Sequence, residues 1–191
     1  MTSQYRNLGL TPQTLLSGDP SGERKKAAVG HTMSTLIEES DALYDSIPTN
    51  EEIECFIDKH EETNDPELLW RLARFSAILG KTLQDSAKKK HFATKIGEFA
   101  NKGLELNPES AGCIKYYSIG IIEGCAGPTE RAKHIHELKE HFKKAIEIDP
   151  QDAFAHHLLG VWHFRVADMP WLLKKIISAV HSNPPSATYE E

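Results

Sequence analysis

Residues 146–155 read IEIDPQDAFA, and the same pattern of apolar, polar and small residues occurs in LELNPESAGC at residues 104–113. A third copy, ETNDPELLWR, occupies residues 62–71. The prolines of the three copies, Pro66, Pro108 and Pro150, are 42 residues apart, and each follows Asp or Asn. An internal repeat of this length is typical of stacked helical units. The sequence therefore predicts an array of similar helix pairs.

Each Asx-Pro pair predicts the start of a helix. The Asx side chain can accept hydrogen bonds from the unpaired N–H groups of the first turn, and proline suits the first helical position because an N–H there has no partner. We therefore expect Asp65, Asn107 and Asp149 to cap successive helices. Apolar spacing predicts an all-α protein with helices near 33–45, 50–62, 67–79, 84–105, 110–123, 129–147, 152–166 and 171–181.

Around these junctions the pattern resembles the tetratricopeptide repeat, a pair of helices, A and B, of about 34 residues in all. In the last unit Leu159 and Gly160 match the Leu-Gly positions, while Ala179 and Pro184 match the late alanine and the closing proline. The two middle units carry extra residues, which longer turns or longer B helices would accommodate. The expected fold is a tetratricopeptide-like array of antiparallel helix pairs.

The two ends of the chain differ from the repeats. Residues 1–30 contain SGDPSGERKK and are predicted to be a flexible leader, so the helical repeat domain is expected over residues 31–191. The final PPSATYEE resembles the beginning of another capped helix. We therefore expect the domain either to be truncated at its C-terminal end or to finish on an unstacked repeat.

Composition limits the possible functions. The chain has 191 residues, 26% of them charged, and a formal net charge of −6, which is ordinary for a globular protein and does not favour nucleic acid as a partner. Cys55, Cys113 and Cys125 are far apart, which argues against a disulfide framework and a thiolate zinc site and favours a reducing compartment. The sequence contains no run of about 18 apolar residues, so it predicts no membrane span, and we expect a cytoplasmic protein.

The histidine-rich stretches do not have the spacing of a metal site. His156, His157 and His163 lack an evident fourth ligand. The stretch HIHELKEH differs from the zinc motif H-E-x-x-H because Glu140 stands where the second histidine should be. Phosphate-binding, dinucleotide-binding and serine-nucleophile motifs are also missing from the sequence. We therefore expect no metal, no cofactor and no enzymatic activity.

Helices A of a stacked array line its concave face. The repeat register places a mostly apolar set of residues there, with a few cations. These residues either pack between repeats or form a channel for an amphipathic helix, a peptide or an acyl chain. The predicted groove consists of Trp70, Ala73, Ala77, Lys115, Ile119, Ile122, Phe154, His157, Val161, Phe164 and Arg165.

Charge is distributed unevenly along the chain. Residues 38–67 hold twelve acidic residues and one lysine, whereas residues 68–106 hold eight basic and three acidic residues. Seven-residue spacing puts several lysines on one side of a B helix, where they form either a binding surface or an ordinary solvated face. The predicted basic surface consists of Lys88, Lys89, Lys90, Lys95, Lys102, Lys143 and Lys144.

Four phrases, DALYDSIP, DPELLWRLARFS, NPESAGCIKYYSI and PPSATYEE, resemble the regulator of microtubule dynamics family, and LWRLAR at residues 69–74 is the most specific. The resemblance implies a tetratricopeptide-like, non-catalytic domain that associates with microtubules and spindle poles and takes part in chromosome segregation. Some relatives carry an amino-terminal membrane anchor and bind or move phospholipids. Because this sequence shows no such anchor, it is more similar to the soluble branch.

The resemblance and the residue patterns lead to one hypothesis and one alternative. The hypothesis is a non-enzymatic, microtubule-associated scaffold protein whose basic surface contacts acidic tubulin, with a helical peptide in the groove. The alternative is a phospholipid-binding or lipid-transfer module whose apolar groove shelters acyl chains.

Overall fold

The computed structural model describes residues 33–180 and 184–188, apart from the side chains of Met33 and Val180, and within these ranges the chain is helical and contains no strand. The helices are α1 Met33–Asp45, α2 Asn50–His60, α3 Pro66–Thr82, α4 Ser86–Leu106, α5 Ala111–Gly124, α6 Pro128–Lys133, α7 Ile135–Ile148, α8 Ala153–Ala167 and α9 Trp171–Val180. The all-α prediction is confirmed. The predicted leader, residues 1–30, lies outside the described residues.

The predicted helix over 129–147 is wrong in one respect, because it is interrupted at His134 and forms α6 and α7 instead. His134 leaves the helical conformation, with φ −96° and ψ 5°. Next to the break, the buried Trp162 indole of α8 donates a hydrogen bond of 2.8 Å to the Ile135 carbonyl. The sequence pattern carried no signal of this break.

Only one of the three expected helix caps is correct. Asp65 caps α3 by accepting hydrogen bonds from the N–H groups of Glu67 and Leu68. Asn107 instead ends α4, and its side chain accepts from the N–H of Glu109 in a local turn. The cap of α5 is Ser110, three residues later.

Asp149 repeats the behaviour of Asn107. It ends α7 and its side chain accepts from the N–H of Gln151, while Asp152 caps α8. The Asx-Pro pairs before α5 and α8 therefore belong to turns that precede the helices. The side chain of an Asx residue bonds equally well to an N–H two residues ahead in a turn, which the sequence motif does not distinguish from a helix cap.

Most helices pack against the next helix along the chain, and the letters A and B follow the repeat register. Helices A are α1, α3, α5 and α8, and helices B are α2, α4, the α6–α7 segment and α9. α3 packs against α4, α4 against α5, α5 against α7, and α7 against α8. The 42-residue register is preserved in this packing, since Gly103 of α4 lies against Cys113 of α5 and Ala145 of α7 shares a cluster with Ala155 of α8. α9 packs against α6.

Two apolar clusters hold most of the buried side chains. The first spans α2 to α5 and is centred on α3, where Leu68, Leu72, Phe75 and Leu79 are fully buried at helical spacing. The second joins α6 to α9 through residues such as Phe142. Since burying a large apolar side chain stabilises a protein by about 1.5–3 kcal/mol, α3 is the main structural support of the described fold.

Candidate binding surfaces

A row of aromatic side chains crosses helices α3, α5 and α8. The Trp70 and Tyr116 rings stack with their centroids 6.1 Å apart and an interplanar angle of 10°. The ring centroids of Tyr116 and Phe154 are 6.3 Å apart, and those of Phe154 and His157 are 6.4 Å apart. These four rings, which we call the aromatic row, therefore link three successive helices A on one face.

Contacts on three sides fix Trp70 in this row. Its indole N–H donates a hydrogen bond of 2.8 Å to Glu67, and the Arg71 guanidinium carbon lies 4.1 Å from the centroid of its ring. The ring rests on Gly112 of α5, where an added Cβ would come within 2.5 Å of indole atoms. A glycine at this position is therefore what lets the indole lie against the next helix A.

Arg71 ties α1 to α3. Its Nε and Nη2 donate to the two oxygens of Asp41 at 2.9 and 2.8 Å, and its Nη1 donates to Glu67 at 3.0 Å. The hydrogen bond from Arg71 is the largest cause that lowers the pKa of Asp41, which is therefore ionised at neutral pH. Arg71 is thus a buried cation whose charge is matched by two carboxylates, and its role is structural.

Arg74 lies one turn further along α3 and has a different environment. Its guanidinium carbon is 3.9 Å from the centroid of the Tyr44 ring and 5.2 Å from that of Trp70. One nitrogen, Nη2, donates to Asp41 at 3.0 Å. Sequence reasoning missed both Arg74 and Tyr44 as site residues. The arginine is within the LWRLAR phrase, but its aromatic neighbour comes from α1, 30 residues earlier in the chain.

The residues predicted to line a groove fall into two groups. In α3 and α5 they mostly pack inside the protein, because Ala73 is fully buried, while Ile119 and Ile122 are partly buried against the two apolar clusters. Ala77 also packs against the first cluster. Lys115 is largely covered and forms an ion pair with Asp152.

In α8 the predicted groove residues are open to solvent. Phe154 is 40% exposed, Val161 38% and Phe164 56%, and His157 and Arg165 are exposed beside them. Their spacing puts these five residues on one side of the helix. Within the described residues, the open part of the predicted groove is therefore the α8 face.

The predicted basic surface is partly neutralised by α2. Lys88 of α4 donates to Glu54 at 2.9 Å, and Lys95 lies 3.6 Å from Glu61 and 3.5 Å from Glu98. The hydrogen bond that Lys88 donates to Glu54 is the first cause that raises the pKa of Lys88. The acidic and basic stretches of the sequence thus lie side by side, since α2 and α4 are neighbouring helices B.

Other lysines of the surface differ in their partners. Lys90 is exposed and Lys89 and Lys102 are partly exposed, and none of the three forms an ion pair with a described residue. Lys143 pairs with Glu140 in its own helix at 3.4 Å, and Lys144 pairs with Glu109 at 2.8 Å. The unpaired cations of the predicted surface are therefore the three on α4.

The histidines do not assemble into a metal centre in the described part of the chain, where no group of three or more His, Cys, Asp or Glu side chains is placed to hold an ion. His141 packs on α5 instead, with its Nδ1 3.0 Å from the Ser118 hydroxyl, and burial lowers its pKa. No described helix has both the length and the apolar character needed to cross a membrane.

The successively packed helices and the aromatic row define an all-α helical-repeat protein. Residues 36–191 match the family described as regulator of microtubule dynamics protein 1-3. The chain therefore belongs to the regulator of microtubule dynamics family, as its sequence phrases predicted.

Individual relatives agree with this assignment. The chain is 36% identical over 168 residues to regulator of microtubule dynamics protein 1 of Bos taurus, covering 86% of this chain and 53% of that protein. It is 37% identical over 174 residues to the Mus musculus protein 1, covering 87% and 56%. Identity to protein 3 of Xenopus laevis is 34% over 169 residues, covering 85% and 36%. The chain thus spans about half the length of the protein 1 relatives.

Proposed function

We propose that this chain is a non-enzymatic, microtubule-associated scaffold protein of the cytoplasm, located on microtubules, the spindle and spindle poles. Its role is in spindle organisation and chromosome segregation. The relatives are named for the regulation of microtubule dynamics, and this supports the choice of partner.

The observation that carries the proposal is the set of lysines on α4 without an ion pair in the described structure. Lys89, Lys90 and Lys102 present positive charge that carboxylates of the fold do not offset. An acidic protein lattice attracts such a surface over several ångströms. Because the chain carries a net charge of −6, binding must depend on this local surface and weaken as salt screens it.

Co-sedimentation with polymerised tubulin over a series of salt concentrations tests the proposal. We expect the parent chain to pellet with microtubules at low salt and to be released as the ionic strength rises. The same protein without microtubules must stay in the supernatant as the control for aggregation. Absence of binding at low salt, or binding that does not change with salt, would contradict a charge-driven contact.

One observation favours a second candidate function, a phospholipid-binding or lipid-transfer module. Phe154, Val161 and Phe164 form an open apolar strip on α8, which is the kind of surface that an acyl chain or a helical peptide covers. Mass spectrometry of the purified protein under native conditions tests this candidate. Co-purified phospholipid that is lost on Val161→Asp and Phe164→Asp substitution would support it, and its absence would favour a protein ligand.

A further inference from the structure

Arg74 has hydrogen-bonding capacity that the fold does not use. Arg71 donates to both oxygens of Asp41, and Arg74 donates to this carboxylate only once, from Nη2 to Oδ1. The Nε of Arg74 is buried and has no partner among the described residues. Its Nη1 makes no hydrogen bond to a described residue and is not among the buried atoms. An arginine carries five N–H donors, and a native protein seldom leaves them unused.

Aromatic side chains surround this arginine and fix its position. The guanidinium lies against the Tyr44 ring and within reach of the Trp70 ring, and its side chain is 13% exposed. Tyr44 is 43% exposed. Tyr116, the next member of the aromatic row, stacks on Trp70. The unused N–H donors of Arg74 therefore lie beside the aromatic row, next to the partly exposed Tyr44.

The chemistry of these donors selects an oxyanion. Arginine binds carboxylates through parallel N–H groups, and flanking aromatic rings keep its plane fixed. We propose that Arg74 is the anchor for a carboxylate of an acidic peptide segment, which lies along Trp70, Tyr116 and Phe154. This inference rests on the proposed function, because it names a glutamate-rich segment of an acidic partner as the occupant.

A peptide fits this face because the row is long and open at its α8 end. Four rings follow one another at 6.1 to 6.4 Å between centroids, a distance similar to that between alternate side chains of an extended chain. A partner side chain can therefore pack on the exposed Phe154 while one carboxylate pairs with Arg74. Charge and aromatic contact then act together, and each weakens when the other is removed.

Fluorescence anisotropy with a labelled glutamate-rich peptide tests the proposal, and its glutamine counterpart serves as the matched probe. We expect the parent to bind the glutamate peptide and not the glutamine peptide. Arg74→Gln should weaken binding at least about tenfold, the usual effect of losing a charge-assisted hydrogen bond. Lys81→Gln is the matched control, because Lys81 is an exposed cation seven residues along the same helix and should leave binding unchanged.

Arg74 also contacts Asp41, so folding is followed by circular dichroism, and Arg74→Lys is the second variant. It keeps the charge but not the parallel donors, and we expect weaker peptide binding from a folded protein. Binding by both Arg74 variants at the parent's affinity would overturn the proposal. Equal loss in Lys81→Gln would also overturn it, since general charge would then explain the binding.

Co-sedimentation of the same preparations separates this inference from the proposed function. A parent that binds microtubules but not the glutamate peptide refutes the Arg74 site alone. A parent that binds the peptide through Arg74 but not microtubules refutes the microtubule assignment alone. Binding to phosphatidylserine vesicles in place of the peptide, lost in Arg74→Gln, would assign the site to a lipid headgroup and overturn the peptide proposal.

Discussion

Helices α4 and α5 cross where two glycines meet, and the two positions differ in how much space they leave. A Cβ added to Gly120 would lie 2.8 Å from both the N and the Cα of Gly97, whereas a Cβ added to Gly97 would have no neighbour within 4 Å. Alanine is favoured over glycine within a helix by about 1 kcal/mol at either position. Gly97→Ala should therefore stabilise the protein by up to about 1 kcal/mol.

Gly120→Ala must also move two helix backbones apart, and overpacking of this kind costs about 1–3 kcal/mol. Two backbone contacts at 2.8 Å put the cost at about 2–3 kcal/mol, and the helix preference for alanine offsets about 1 kcal/mol of it. We therefore expect the free energy of unfolding to fall by about 1–2 kcal/mol. Urea denaturation followed by circular dichroism measures both free energies of unfolding, and the melting temperatures should differ by several degrees in the same direction. Equal stability of the two alanine variants would refute the close crossing of α4 and α5.

Three further predictions concern the Asp41–Arg71 contact, the helix caps and the cysteines. Asp41→Asn should lower the free energy of unfolding at pH 7 by about 1 kcal/mol, since it weakens the contacts with Arg71. The pKa of Asp41 is lower in the folded protein than in the unfolded chain. The stability difference between the parent and Asp41→Asn should therefore be full above the unfolded pKa of about 4 and disappear as the pH falls through the folded pKa. Urea titrations at several pH values measure it. Ser110→Ala should cost about 1 kcal/mol and Asn107→Ala less, in the same denaturation assay, because only Ser110 caps a helix. Cys55 is exposed, whereas burial raises the pKa of the Cys113 thiol, so mass spectrometry should find maleimide on Cys55 first.

The sequence predicts the helices of this fold well because their signals are local. Apolar spacing and turn residues place most helix ends within a few residues of their observed positions. The misplaced caps at Asn107 and Asp149 show the limit of such signals, since one Asx-Pro motif begins a helix in one repeat and forms a turn in two others. In both turns the Asx residue also ends the preceding helix, whereas α2 already ends at His60, before Asp65.

The binding surfaces are harder to predict, because they depend on which helices become neighbours. The lysines of α4 form one stripe in the sequence, yet Lys88 and Lys95 pair with carboxylates of α2 and its C-cap that lie 34 residues earlier. Arg74 gains its aromatic neighbour from α1 in the same way. The apolar groove was predicted from repeat register, and register alone does not tell a packed Ala73 from an open Phe164.

The most direct test of the proposed microtubule contact compares two sets of lysines on the same helix. One variant replaces Lys89, Lys90 and Lys102 with alanine, and the other replaces Lys88 and Lys95, which are already paired with carboxylates. Microtubule co-sedimentation at low salt should show clearly weaker binding for the first variant and near-parental binding for the second, with a smaller salt dependence remaining in the first. Parental binding by the first variant would contradict the assignment of the contact to the unpaired lysines of α4.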